Sequence, residues 1–91
     1  METVVVVRSF PEPVVFDDVQ AMEDKFSWCL EIRNIRFLLS YFSTDRRRMI
    51  CVYEAPDAES VREANVQAGL PFDHVWSATI HRSAKNAAGT A

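Results

Sequence analysis

The sequence predicts a single α+β domain, a four-stranded antiparallel sheet with two helices packed on one face. Three observations carry this. Four short runs rich in β-branched and aromatic residues are spread along the chain. Two stretches between them place apolar residues at steps of three and four, the period of a helix. The middle two strand-like runs lie so close together that only an antiparallel hairpin can join them.

Each element has its own signals. Val4 to Phe10 reads as a first strand, closed by Pro11 to Pro13. Asp17 then opens a helical pattern with Gln20 three residues on, a capping box with Asp in place of Ser or Thr. Val19, Met22, Phe26, Leu30 and Arg33 predict one core-facing stripe, flanked by Trp28 and Ile32, with Asn34 as a left-handed stop. Ile35 to Ser43 is the second strand, "TDRR" the turn, and Arg48 to Glu54 the third strand. Asp57 is placed to cap a second helix, and Glu59 suits the positive end of its dipole. Val61, Ala64 and Ala68 face the core, and Gly69-Leu70-Pro71 ends that helix. Val75 to His81 supplies the fourth strand. The order βαββαβ is the split, ferredoxin-like plan, whose right-handed crossovers put both helices on one face. Residues 1–82 form this domain, and the small, polar tail 83–91 is expected to be disordered.

Composition narrows the function. With 48% hydrophobic and 25% charged residues, the 91-residue chain has ordinary globular content. Its formal charge of −3 offers no basic surface for nucleic acid or for an anionic membrane. The opening "METVVVVRSF" is too short in apolar residues for a signal peptide or a membrane span. Cys29 and Cys51 lack a CxxC spacing or further partners, so two reduced thiols in a cytoplasmic protein are expected.

The strands hardly alternate between apolar and polar residues. Phe37, Leu39 and Tyr41 oppose Leu38, Ser40 and Phe42, while Ile50 and Val52 oppose Met49, Cys51 and Tyr53. A sheet apolar on both faces leaves a patch that a soluble monomer rarely exposes. Another copy of the same face is the simplest cover, which predicts a homodimer with sheet against sheet. Loops or the tail folding across the face are the alternative.

Few residues suggest chemistry. His74 and His81 stand seven apart on one predicted strand, roughly 23 Å and opposite faces, so they cannot share an ion within one chain. Across a two-fold axis, one histidine from each copy can meet. No HxH, HxxxH or CxxC spacing is present. Tyr41, Tyr53, Glu54 and His81 are the strand residues able to reach a cavity as acid–base groups, and the two tyrosines are the candidate lining of a ligand pocket. Arg46 to Arg48 reads as a solvated hairpin tip.

Over "SYFSTDRRRMICVYEAPDAESVREANVQAGLP" the chain resembles the small bacterial nickel-binding, ferredoxin-like proteins, and "RSFPE" from Arg8 to Glu12 fits the start of the same family. The resemblance implies a dimeric α/β barrel and, for some members, nickel held by histidine and oxygen donors, ligands that suit that ion. Members often carry a histidine just before the Ser-Tyr of the second strand. Here Leu39 stands there and cannot coordinate a metal. The remaining candidate ligands are His81 and Glu54, then His74. The first expectation is therefore a non-enzymatic, dimeric metal- or small-ligand-binding protein. A cofactor-free enzyme of the dimeric barrel type, monooxygenase- or isomerase-like, and an interaction module without a site are the alternatives.

Overall fold

The computed structural model describes residues 1–25 and 27–83. The strands are β1 (Glu2–Ser9), β2 (Arg36–Phe42), β3 (Arg48–Ala55) and β4 (His74–Ala78), and the helices α1 (Phe16–Lys25), α2 (Ser27–Ile32) and α3 (Ala58–Ala68). The sheet order is β2-β3-β1-β4, with all three pairings antiparallel. This is the predicted four-stranded plan. β1 and β3 lie in the centre and bury Val4, Val6, Met49, Cys51 and Tyr53 against the helices. Phe37 packs on Tyr53, and Phe16 of α1 on Phe42 of β2, at centroid distances of 5.5 and 5.6 Å.

The α3 signals all act as predicted. The Asp57 carboxylate accepts from the Ser60 amide at 2.7 Å, and Gly69 adopts φ 70°. The amides of Gly69 and Leu70 then reach the carbonyls of Val66 and Asn65, both at 3.1 Å, closing the helix end. Asn34 takes the left-handed conformation expected of it, with φ 57°.

Two expectations need correction. The first helical region is described as α1 and α2 on either side of residue 26, the stripe position that lies outside the described residues. Met22 is exposed, while Glu23, four residues after Val19, is buried in the helix–sheet layer. The reason is electrostatic: Arg8 is buried beneath α1, and a buried cation requires a counter-charge more than another methyl group. Trp28 and Ile32 of α2 also stay exposed. The second correction is β4, which ends at Ala78 and leaves His81 outside the sheet. Its pairing with β1 runs out at Thr3 and Ala78. Of the predicted tail, residues 84–91 lie outside the described residues.

Candidate functional site

Register fixes what the helix-free face presents. Tyr41, Ile50, Val7 and His74 stand side by side across the four strands. The next row is Leu39, Val52, Val5 and Trp76, and the third is Arg36, Glu54, Thr3 and Ala78. An irregularity at Leu38 keeps Leu39 and Tyr41 on this face while Phe37 points to the core. The first two rows form an apolar surface, with Tyr41 66% and Trp76 49% exposed. The third row is closed by an ion pair, Arg36 Nη2 to Glu54 Oε1 at 3.0 Å.

At the Tyr41 end this face opens into a groove of about 380 Å³. Val7, Tyr41 and Ile50 supply apolar surface, and Ser9, Arg48 and Asp73 supply polar groups. Ser9 is the register partner of Arg48, and its hydroxyl donates to Asp73 Oδ2 at 2.6 Å. A groove of this size with a few convergent polar groups is the usual form of a small-molecule site.

The opposite face buries a polar cluster. Arg8 follows Val4 and Val6 in the inward parity of β1 and is 1% exposed. Its Nη1 donates to the Pro71 carbonyl at 2.8 Å, and Nη2 donates to Asn65 Oδ1 at 2.7 Å and to the Tyr53 hydroxyl at 3.4 Å. Glu23 Oε1 lies 3.8 Å from Nη2 and accepts from the Tyr53 hydroxyl at 3.4 Å and the Cys51 thiol at 3.6 Å. Burial pushes the Cys51 thiol up to about 11 and raises Tyr53 further above the ordinary phenol range. Neither is an acid or base near neutral pH, and neither is an activated nucleophile.

The predicted site residues do not converge. Tyr41 lies on the open face and Tyr53 beneath the helices, so the two tyrosines line no common pocket. Alternation of successive side chains across a strand forces this, because pairing places them on opposite faces. Glu54 is engaged by Arg36, and His81 Nε2 lies 2.8 Å from the Thr79 hydroxyl. His74 stands on the open face, at the opposite end of the Tyr41 row. Among the described residues, no three His, Cys, Asp or Glu side chains gather closely enough to hold a metal ion. The donor set of one chain therefore does not fit a nickel centre. Arg8, Glu23 and Asn65 were missed in the sequence, although each follows a buried valine at strand or helix spacing.

Three comparisons place the chain among known proteins. The family model described as nickel responsive protein SCO4226-like matches residues 5–77. The crystal structure of SCO4226 from Streptomyces coelicolor A3(2) superposes with a TM-score of 0.77 at 16% identity, covering 88% of this chain and 99% of that one. An unknown protein from Galdieria sulphuraria gives 0.59 at 20% identity, covering 92% of this chain and 48% of that one. No curated protein matches the chain. At these identities the structures establish the fold alone, while the family model spans most of the domain. The chain belongs to the SCO4226-like, nickel-responsive family.

Proposed function

We propose that this chain is a non-enzymatic binding protein that works as a homodimer through its open sheet face. The observation that carries this reading is the pair of apolar rows from Leu39 and Tyr41 to Trp76 and His74. Their contiguous surface is what a second copy of the same face would bury. The family description supports binding rather than catalysis, and so does the cluster around Arg8, where Tyr53, one of the four acid–base candidates, is buried and engaged.

Nickel binding, in this reading, belongs to the assembled dimer. One chain supplies too few donors, but His74 is on the face that meets its copy, and imidazole is a good nickel ligand. His74 thus ranks ahead of His81 and Glu54, reversing the order expected from the sequence. The test is nickel calorimetry on chelator-stripped, tag-free protein, with mass by light scattering in the same buffer. Binding at half an ion per chain, lost in His74→Ala and kept in His81→Ala, supports the shared site. A monomeric mass overturns the dimer, and a dimer that evolves no nickel heat overturns the metal.

A further inference from the structure

We propose that the groove at the Arg48 end of the open face binds a small organic monocarboxylate, with its apolar body on Val7, Tyr41 and Ile50 and its carboxylate on Arg48. This goes beyond the metal and dimer reading and rests on one chain, although Val7, Tyr41 and Ile50 also belong to the first apolar row, so a ligand and a second copy would meet the same residues. Size comes first: about 380 Å³ accommodates a ligand of roughly aromatic-acid dimensions. The apolar part of the lining then favours a hydrocarbon body, and Tyr41 at the edge strand offers a ring face against which an aromatic body can stack.

Charge completes the recognition. Arg48 forms no ion pair among the described residues. Its planar guanidinium is suited to a carboxylate taken by two parallel hydrogen bonds. The other arginines nearby are placed differently. Arg47 donates to the Pro11 carbonyl at 2.9 Å, and Arg8 is spent on the opposite side of the sheet. Of the neighbouring acids, Asp45 is tied into the hairpin by the Ser43 hydroxyl at 2.6 Å and the Arg47 amide at 3.0 Å. Asp73 lines the same groove, its carboxylate accepting from the hydroxyl of Ser9, the register partner of Arg48, at 2.6 Å. A second carboxylate on the ligand meets that like charge, so the groove selects monocarboxylates over dicarboxylates.

The experiment is calorimetric titration of the full chain with phenylacetate, 1,4-phenylenediacetate and 2-phenylethanol, with mass measured in each buffer. Wild type, Arg48→Gln, Arg48→Lys and Arg36→Gln are compared. Removing a charge-assisted bidentate contact weakens phenylacetate by about tenfold or more in Arg48→Gln. Arg48→Lys retains part of the affinity, and Arg36→Gln, at the far end of the same face, leaves it near wild type. The neutral alcohol is indifferent to position 48, and the dicarboxylate binds more weakly than phenylacetate. No saturation by phenylacetate in the low millimolar range overturns the proposal, as does equal loss in Arg48→Gln and Arg36→Gln. A dimer that binds no phenylacetate sinks this inference and leaves the dimer standing. A monomer that binds it does the reverse.

Discussion

Arg8 Nη2 lies 2.7 Å from Asn65 Oδ1, joining the first strand to the second long helix across 57 positions of sequence. Asn65 in turn donates from Nδ2 to the Val61 carbonyl one turn back, at 2.8 Å, so its amide is fixed in the orientation Arg8 needs. With Pro71, Tyr53 and Glu23 added, one guanidinium ties together β1, β3, α1, α3 and the loop before β4.

The first prediction follows from that junction. Arg8→Leu leaves Glu23 without its counter-charge and Asn65 without its donor in the core, and should cost about 3 to 5 kcal/mol in urea unfolding. Adding Glu23→Leu removes the stranded carboxylate, so the double variant should recover much of the loss. A double variant as unstable as the sum of its singles would show that the two side chains are not energetically coupled.

Cys51 gives a pH dependence. Its folded value of about 11 stands above the ordinary 9.0, so above pH 9 the unfolded chain releases the proton while the folded chain keeps it. Stability from this group is complete below pH 9 and falls between 9 and about 11, by on the order of 2 kcal/mol. Tyr53, raised in the same direction by burial, extends the decline to more alkaline pH. Denaturation midpoints from pH 7 to 11 check this, and Cys51→Ala should flatten the first part of the curve. Native Cys51 should also resist thiol reagents at pH 8, since it is fully buried and protonated.

Gly69 tests the helix end. At φ 70° a side chain is strained, yet an added Cβ meets no atom within 4 Å. Gly69→Ala should therefore cost about 1 kcal/mol through the backbone alone, and Gly69→Asn less, because Asn tolerates this conformation better. Chemical denaturation at neutral pH distinguishes them.

The open face tests the assembly. Trp76→Glu places a charge in the middle row, where a second copy would have to desolvate it, and should shift the protein to monomer with its fold retained. Trp28→Glu is the control, because Trp28 is at least as exposed as Trp76 but lies on α2. Light scattering and circular dichroism provide the readouts. Unchanged mass in Trp76→Glu would remove this face from the interface.

Much of the architecture was legible in residue order. Helix α3 was bounded by Asp57 and by Gly69-Leu70-Pro71, local signals that act within a few residues and need no knowledge of the rest. The hairpin of β2 and β3 followed from the short spacing between two apolar runs, and the doubly apolar sheet from a failure to alternate. The first helical region was harder. Apolar steps alone favoured Met22, whereas the fold buries Glu23, because the demand comes from Arg8 on another element.

The candidate site was less legible still. Apart from His81, the candidate strand residues were named correctly as strand residues, but which of them share a face depends on register, and the irregularity at Leu38 shifts one edge of it. Tyr41 and Tyr53 were separated in this way, and His74 was brought into the row of Tyr41. By itself the sequence determined the element order, the helix ends and the unusual apolarity of the sheet, since these rest on local backbone preference and side-chain period. Only the tertiary structure decided that Arg8 turns inward to Asn65 and Glu23 while Arg48 turns outward over a groove. Those outcomes depend on charges and surfaces distant in the chain, which meet only when the strands take their register.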